Sequence, residues 1–352
     1  SMPSTKEILI IGQGLAGTLL AMELRKAGKK FLITEGRLPH SASAVAAGIL
    51  NPVTGKRLGK SWEANKFLKY ARETYQELES LIGKSFFRET RLLRLFKDEE
   101  EQKIWKKKKD LAEYKDFLGK RYQECEFKDS LKDRHGSFEI LNAATLDVQT
   151  FLMGARDLFA LEGSLCEKKI EYDDISIAND IPKYSGKAYH KVIFCEGFRG
   201  VDNPWFQHIP MESSQGEIQT VMPGTPLPEG IINCGKWLRP LGNGIFQAGS
   251  THKWNDILSA PQKEDDDEIK EGMKKILHHV PTLLRRETGT RPASKDRTPV
   301  VGFHPQNPCL GILNGLGAKG SMMGPWMARH LSDVIQGLTQ IDSELDVRRY
   351  FN

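Results

Sequence analysis

Gly12-Gln13-Gly14-Leu15-Ala16-Gly17 is the stretch that decides the fold of this 352-residue chain. It follows a run with the character of a buried strand, Ile8-Leu9-Ile10-Ile11, and it opens a helical stretch that extends to Gly28. A second apolar segment, residues 30–34, then ends at the acidic Glu35. A strand, a G-x-G-x-x-G turn, a helix and a second strand with an acid at its end predict a Rossmann-like nucleotide-binding unit.

Each part of this pattern has a physical reason. Gly12 permits the tight turn, Gly14 lets a pyrophosphate approach the backbone, and Gly17 lets the helix pack on the strand. The N–H groups at the start of the helix favour phosphate, and Glu35 can accept hydrogen bonds from ribose hydroxyls. A carboxylate here disfavours a 2′-phosphate, so the pattern favours FAD or NAD over NADP and leaves the choice between these two open.

The composition is that of a folded protein with two domains or one large domain. Hydrophobic residues make up 39% and charged residues 28%, which excludes disordered and collagen-like chains. No apolar run approaches the length of a membrane span and the first residues lack a signal-peptide pattern, so we expect a cytoplasmic protein without membrane association. The five cysteines form no C-x-x-C pair and no H-E-x-x-H motif occurs, so we expect reduced thiols and no metal site.

The net charge of +5 hints at an anionic partner. The most basic run, residues 106–109, nevertheless follows the acidic residues 98–101 within one predicted helix. Acidic residues at the start of a helix and basic residues at its end suit the helix dipole. We therefore expect a solvated helix there rather than a nucleic-acid-binding patch.

After Glu35 the chain leaves the nucleotide-binding pattern and later returns to it. A run of small residues, 42–48, lets the backbone come close to a flat or phosphorylated ligand. Residues 141–197 contain a helix and a buried strand that ends in glycine, and residues 310–336 contain a last strand and a glycine-rich helix start. Between them, residues 205–303 alternate short strands with Pro/Gly turns, which suggests a mostly antiparallel sheet. The order predicts an α/β protein, α+β overall, with two interleaved domains.

Six segments occur in an order that is typical of one protein family. They are residues 12–35, 42–51 and 192–197, Gly289-Thr290-Arg291-Pro292 with Asp296, and residues 298–302 and 313–325. The first motif, combined with G-x-R-P-x-x-x-D-x-x-P-x-x-G and the late glycine-rich helix start, resembles the D-amino acid oxidase-like family of FAD-dependent oxidoreductases, especially its glycine oxidase-like branch. The resemblance spans essentially the whole chain. It implies FAD as cofactor and transfer of a hydride from the carbon beside an amine nitrogen to flavin N5.

The resemblance also implies a domain organisation and a cofactor site. We expect a Rossmann-like FAD-binding domain of residues 5–60, 139–204 and 301–345, interleaved with a substrate domain of residues 61–138 and 205–300 that is built on the antiparallel sheet. Cys309 does not match the position that carries a covalent flavin, so we expect FAD to be bound noncovalently. The implied cofactor-contacting residues are Gly12, Gly14, Leu15, Ala16, Gly17, Glu35, Gly36, Ser43, Ala47, Gly48, Ile49, Ile170, Cys195, Gly197, Gly317, Lys319, Gly320, Ser321 and Met322.

Two cations are candidates for the chemistry. The family places a carboxylate-binding arginine at Arg291, whose guanidinium fork matches a carboxylate with two parallel hydrogen bonds. The alternative for Arg291 is a structural ion pair with Asp296. Lys319 is the candidate catalytic cation on the side of the flavin where negative charge gathers, and the alternative is a lysine that reaches solvent.

Three further residues are candidates for a substrate pocket. Arg57 and Trp62 follow the small-residue run and could shape a pocket for an anionic substrate, and a basic surface turn and a core aromatic are the alternatives. His252 follows a strand in a G-x-T turn, where a structural histidine is the alternative. We expect a small-molecule amine or amino acid as substrate and an acceptor such as oxygen. Open alternatives are oxidation of a carboxymethylaminomethyl group on tRNA uridine, a flavin-binding protein without turnover, and an NAD dehydrogenase.

Overall fold

The strands and helices follow the predicted order along the chain. The computed structural model describes residues 6–36, 48–212, 214–254, 262–291 and 293–351. Its helices are α1 (Leu15–Lys26), α2 (Ala64–Ile82), α3 (Glu99–Lys108), α4 (Val148–Leu161), α5 (Lys263–Lys274) and α6 (Gly320–Ile335). Its strands are β1 (Ile8–Ile11), β2 (Phe31–Thr34), β3 (Ile49–Leu50), β4 (Val53–Thr54), β5 (Gly59–Lys60), β6 (Phe87–Glu89), β7 (Leu92–Leu95), β8 (Leu118–Tyr122), β9 (Ser137–Ile140), β10 (Ala144–Leu146), β11 (Leu165–Cys166), β12 (Ile175–Ala178), β13 (Ile181–Tyr184), β14 (Lys187–Ala188), β15 (Lys191–Phe194), β16 (Ser214–Met222), β17 (Ile231–Cys234), β18 (Lys236–Gly242), β19 (Ile245–Gly249), β20 (Lys253–Trp254), β21 (Thr282–Arg291), β22 (Val300–Phe303) and β23 (Leu310–Asn314).

A six-stranded sheet holds the glycine-rich turn. Its order is β11-β2-β1-β15-β23-β22, and only β22 runs antiparallel to its neighbour. All four residues of β1 are buried, as expected for a central strand that is covered on both faces. Helices α1 and α6 pack so closely that a Cβ added at Gly324 would lie 2.8 Å from Leu19 Cδ1. The predicted Rossmann-like arrangement is confirmed.

A nine-stranded sheet forms the second layer. Its order is β20-β16-β19-β18-β17-β7-β9-β8, and β21 pairs with the other edge of β16. All of its pairs are antiparallel except β17 with β7, so the predicted mostly antiparallel sheet is confirmed. One face has an apolar patch, in which Leu93, Ile232 and Leu238 pack against Ile269 and Met273 of α5.

The strands of the two sheets alternate along the chain. Strands β7, β8 and β9 lie in the nine-stranded sheet, the chain then returns to the six-stranded sheet at β11 and β15, and it leaves again at β16. Strand β9 spans residue 139, the predicted boundary, and pairs with β7 and β8. The exact division into two domains stays a prediction.

The charged helix α3 has the predicted polarity. The Asp98 side chain caps its N-terminus by accepting from the backbone N–H of Glu101, and three lysines occupy its last turn. Glu101 itself is buried and pairs with the buried Arg94 at 3.1 Å, so one side of the helix is fixed to β7 rather than solvated. Within the described residues, no helix is long and apolar enough to cross a membrane.

Candidate active site

The glycine-rich turn leaves no space for side chains. Gly12 has φ +109°, and a Cβ added there would lie 2.1 Å from the carbonyl oxygen of Cys195. A Cβ added at Gly17 would lie 1.8 Å from the carbonyl oxygen of Gly12. Gly14 is the N-cap of α1 and provides no side chain to cap it, so the helix end can present its N–H groups to an anion. This geometry fits the pyrophosphate of a dinucleotide.

A cleft of about 290 Å³ lies beside this turn. Gly12, Glu35 and Ile170 all line it, so the fold brings together three predicted cofactor residues from distant parts of the chain. Glu35 is buried and accepts a hydrogen bond from Arg199 Nη2 at 2.8 Å. We call this cleft and the glycine-rich turn the nucleotide cradle.

Two arginines of the nucleotide cradle were missed by the sequence analysis. Arg156 of α4 donates to the Gln13 side chain at 3.2 Å and to the carbonyl oxygen of Gly36 at 2.7 Å. Arg199 lies in a 3₁₀ turn after β15 and pairs with Glu35. Neither belongs to a motif of fixed spacing, and only the fold brings them to the turn.

Glu196 is a partly buried acid of the same cleft. Burial raises the pKa of its carboxyl group to about 7, although Tyr172 and Asn203 donate hydrogen bonds to it. Its neighbour Cys195 is buried against the glycine-rich turn, and burial raises the pKa of that thiol well above its ordinary value. The described part of the chain contains no cluster of three or more His, Cys, Asp or Glu residues that could hold a metal ion.

Lys319 lies where α6 begins. It ends the 3₁₀ turn Gly317–Lys319, and its Nζ donates to Ser61 Oγ at 2.7 Å. Burial lowers the pKa of this lysine. The hydrogen bond joins the late glycine-rich segment to the residue that follows β5, so Lys319 does not simply extend into solvent.

The helix start after Lys319 also contacts the glycine-rich turn. A Cβ added at Gly320 would lie 3.5 Å from Leu15 Cδ2, and Ser321 and Met322 are buried behind it. Of the earlier segment, Gly48 has φ +62° and Ile49 pairs with β10. The predicted contacts at Ser43 and Ala47 lie outside the described residues.

Arg291 ends strand β21 as a buried cation. It is 9% exposed, and its guanidinium lies directly over Gly216, where an added Cβ would meet Nη1 at 2.1 Å. Nη1 donates a long hydrogen bond, 3.4 Å, to the carbonyl oxygen of Thr251. Burial lowers the pKa of this arginine to about 10, which is a large shift for a guanidinium.

The alternative partner of Arg291 is engaged elsewhere. Asp296 accepts from Arg349 Nε at 3.0 Å and from Ser294 Oγ at 2.8 Å. In the described ranges, no ion pair joins Arg291 to Asp296 or to another acid. A buried guanidinium without a carboxylate partner is a candidate anion-binding group.

The remaining candidates lie in three different environments. The pKa of the His252 imidazole is lowered to about 4. Desolvation is the largest cause, and the positive charges of Arg291 and Lys236 add to it. Trp62 is 43% exposed and packs edge-on against Phe67, next to the Lys319 partner Ser61. Arg57 lies in an exposed turn, where its carbonyl oxygen accepts from Lys108 of α3.

Comparisons with known proteins agree with this geometry. The model of the family described as "FAD dependent oxidoreductase" (DAO) matches residues 7–334. The uncharacterized oxidoreductase YurR of Bacillus subtilis (strain 168) is 25% identical over 98% of both chains, and a glycine oxidase of Bacillus licheniformis is 23% identical over 94% of this chain and 93% of its own. The crystal structure of glycine oxidase from Geobacillus kaustophilus superposes with a TM-score of 0.84 at 17% identity and covers 99% of this chain and 100% of its own.

The family model covers far more than half of the chain. It confirms the resemblance inferred from the six segments, including FAD as cofactor, and it shows that the NAD alternative is wrong. The glycine-rich turn and the adjoining cleft suit the pyrophosphate and a ribose of a dinucleotide such as FAD. This chain belongs to the FAD dependent oxidoreductase family.

Proposed function

We propose that this FAD-dependent oxidoreductase oxidises a small amine that carries a carboxylate, as an amino acid does. The observation that carries the proposal is Arg291, a buried guanidinium that lies over Gly216. A cation costs free energy when it is buried without an anion. A substrate carboxylate that makes two parallel hydrogen bonds to Arg291 offsets that cost and fixes the orientation of the substrate.

The nucleotide cradle is the proposed place for the cofactor. The N-terminus of α1 takes the pyrophosphate and Glu35 accepts from the ribose hydroxyls, in exchange for part of its contact with Arg199. Bound FAD supplies the group that accepts a hydride from the carbon beside the substrate nitrogen. The thiol of Cys309 is buried, in keeping with the proposal of a noncovalent flavin.

His252 is the proposed neutral partner of the amine. Its pKa of about 4 keeps the imidazole uncharged at neutral pH, so it adds no positive charge beside Arg291. A neutral ring nitrogen can accept a hydrogen bond from an N–H group of the substrate amine. This contact can orient the amine so that its lone pair aligns with the C–H bond that breaks. His252 would act by orienting the amine, because a group with this pKa is a weak base.

Lys319 is the proposed cation on the flavin side of the site. Its hydrogen bond to Ser61 fixes the position of the ammonium group. Because the lysine is partly buried, water screens its charge less than it would at the surface. A fixed cation stabilises negative charge that develops nearby during the reaction. Trp62, the residue after Ser61, would then close the adjacent surface of the pocket.

The experiment is an anaerobic amine screen of the purified holoenzyme. Primary and secondary amino acids are added without oxygen, and we expect at least one of them to bleach the flavin absorption. Amines of the same skeleton without a carboxylate serve as matched substrates and should bleach far more slowly. Arg291→Gln should remove that difference, whereas a set of amines that all leave the wild-type flavin oxidised would contradict the proposal.

The same preparation tests the remaining alternatives. If oxygen is the acceptor, admitting air after bleaching restores the flavin absorption at a rate at least as fast as turnover measured in air. A tRNA substrate would bind with an affinity that falls steeply with salt concentration, because basic residues displace counterions from phosphates. We expect no such salt-dependent binding, since the basic end of α3 partly contacts its own protein through Lys108.

A further inference from the structure

The second half of the motif that contains Arg291 has no part in the chemistry proposed so far. The motif continues past Arg291 through Asp296 to Pro299. Asp296 accepts hydrogen bonds from Nε and Nη2 of Arg349, at 3.0 and 3.3 Å. Arg349 belongs to the 3₁₀ turn Val347–Tyr350, which lies more than fifty residues further along the chain. The second half of the motif thus forms a binding place for Arg349.

Arg349 holds the loop of residues 293–299 by its backbone as well as by its acid. Nη2 donates to the carbonyl oxygens of Thr298 and Pro299, each at 3.1 Å, in addition to Asp296. Nη1 donates to two carbonyl oxygens of its own segment, at 2.8 and 3.2 Å. All three nitrogens are therefore engaged, so a flat guanidinium with five donors fits this place and an ammonium group does not.

The Asp296 carboxylate is also held from inside the loop. The hydroxyl of Ser294, a fully buried residue, donates to Asp296 Oδ1 at 2.8 Å, and the backbone N–H of Thr298 donates to the same oxygen at 3.0 Å. Asp296 itself is exposed, so these donors and Arg349 fix its position more than packing does. Charge-assisted hydrogen bonds from several directions fix the loop together with the carboxylate.

The loop connects the two proposed cations of the site. Ala293, two residues after Arg291, forms an antiparallel bridge with Leu316, the residue before the 3₁₀ turn that ends at Lys319. The carbonyl oxygen of Ala293 also accepts from the backbone N–H of Glu212 at 2.7 Å. A shift of the loop therefore changes where the carboxylate-binding guanidinium lies relative to the cation on the flavin side.

We propose that Arg349 is a positioning residue for substrate binding, which keeps Arg291 and Lys319 at a fixed distance by holding the loop of residues 293–299. The inference rests on the proposed function, in which Arg291 binds the substrate carboxylate. Arg349 acts through the loop and does not contact the substrate. Two parallel hydrogen bonds from a guanidinium to a carboxylate depend on orientation, so a displacement of about 1 Å weakens binding even though the charge is still present.

The test measures carboxylate binding apart from turnover. Valerate, which has a carboxylate and no amine to oxidise, is titrated into the FAD-loaded protein, and the change in the flavin absorption spectrum reports its binding. We expect Arg349→Met to weaken valerate binding about 10-fold, because methionine fills part of the same space but donates no hydrogen bond. The FAD content should stay near wild type, since Arg349 is not a residue of the nucleotide cradle.

Three further variants separate positioning from a change of charge. Arg348→Met is the matched control, because Arg348 lies in the same 3₁₀ turn and pairs with Asp346, outside the loop, so valerate affinity should not change. Arg349→Lys keeps the charge and should recover part of the affinity. Asp296→Asn removes a negative charge near the site. Electrostatics alone would then strengthen valerate binding, whereas a loosened loop weakens it about 3-fold.

A double-mutant cycle examines whether Arg349 acts through Arg291. In an Arg291→Gln background the oriented carboxylate contact is already lost, so Arg349→Met should weaken valerate binding no further. With an amino acid that bleaches the flavin, Arg349→Met should raise KM and reduce the preference over the matched amine without a carboxylate. An equal loss of affinity in both backgrounds would mean that Arg349 supports the fold in general, and the inference would be wrong.

The outcomes also distinguish this inference from the proposed function. Valerate binding that depends on Arg291 but not on Arg349, or that becomes tighter in Asp296→Asn, would overturn the positioning role alone. A lower melting temperature of Arg349→Met with unchanged valerate affinity would do the same. If wild type binds no valerate and no amine bleaches its flavin, the proposed function fails and this inference fails with it. Should Arg349→Met not fold, Arg349→Lys and Asp296→Asn provide the same comparison.

Discussion

The nucleotide cradle and the face of the nine-stranded sheet that lies opposite α5, which we call the polar face, follow from the sequence in different ways. Most of the cradle is contiguous: the glycine-rich turn and Glu35 lie within 24 residues, and their spacing alone predicts where they meet. The polar face is assembled from separate strands, and the register decides that Arg291, Trp237 and Arg239 share a side. Local motifs can therefore be identified from spacing, whereas a site on a sheet face becomes visible only when the pairing of its strands is known.

The largest effect is expected in the cradle, at Gly12. Gly12→Val places a β-branched side chain at φ +109° and against the Cys195 carbonyl oxygen, which cannot move without shifting β15. Strain and overpacking together should lower the free energy of unfolding by about 4 kcal/mol and abolish FAD binding. Chemical denaturation and the FAD content of the purified protein measure both effects.

Gly59→Ala is the matched control for this prediction. Gly59 begins β5, has no positive φ, and an added Cβ would make an ordinary contact of 3.5 Å with the Thr54 carbonyl oxygen. We expect its stability and FAD content to stay near wild type. A Gly12→Val protein that retains FAD would show that the tight turn is not what shapes the cradle.

The second prediction compares two arginines of one strand. Arg286 and Arg291 lie on β21 and face opposite sides of the sheet. Arg286 makes two hydrogen bonds, 2.9 and 2.7 Å, to the buried Glu217. Arg286→Leu leaves this carboxylate without its charged partner and should cost about 3 kcal/mol. Arg291→Leu removes a buried cation that has no acid beside it in the described structure, so we expect no loss of stability but loss of carboxylate binding.

Denaturation curves and acid titrations of both variants check this comparison. Arg286→Leu should lose stability and, where it folds, keep its affinity for valerate. Arg291→Leu should keep its stability and lose its affinity for valerate. Equal destabilisation by the two changes would mean that Arg291 is a structural residue, and the proposed carboxylate site would have to be abandoned.

The sequence itself predicted the parts of the molecule that depend on local spacing. It predicted the turn at Gly12, the acid at Glu35 and the mostly antiparallel sheet, and it selected Arg291 from a motif. It missed Arg156 and Arg239, because their positions depend on long-range packing of α4 and on the register of β18 with β19. The charge pattern of α3 predicts a solvated helix, because spacing alone cannot show that Glu101 of this helix pairs with Arg94 on β7.

The third prediction concerns the pH dependence of the cradle. Glu196 has a pKa of about 7 in the folded protein and an ordinary pKa of 4.5, so folding favours its protonated form. The stability from this group is present in full below pH 4.5 and is lost as the pH rises through about 7, by about 3 kcal/mol. Glu196→Gln should remove this part of the pH dependence. Unfolding of the two apoproteins between pH 4.5 and 8 measures the difference, and parallel curves would contradict it.

The fourth and smallest effect has the opposite sign and belongs to the polar face. His252 has a pKa of about 4 when folded and 6.5 ordinarily, so its contribution to stability is present above pH 6.5 and is lost as the pH falls toward 4. His252 is exposed to solvent, which screens the charges and reduces the effect. An NMR titration should show the low pKa in wild type and a higher one in Arg291→Gln, because a nearby positive charge has been removed. His279→Gln, a change at an exposed position, should leave the His252 titration unaltered. An unchanged His252 pKa in Arg291→Gln would mean that burial alone keeps the imidazole neutral and that the two residues do not form one site.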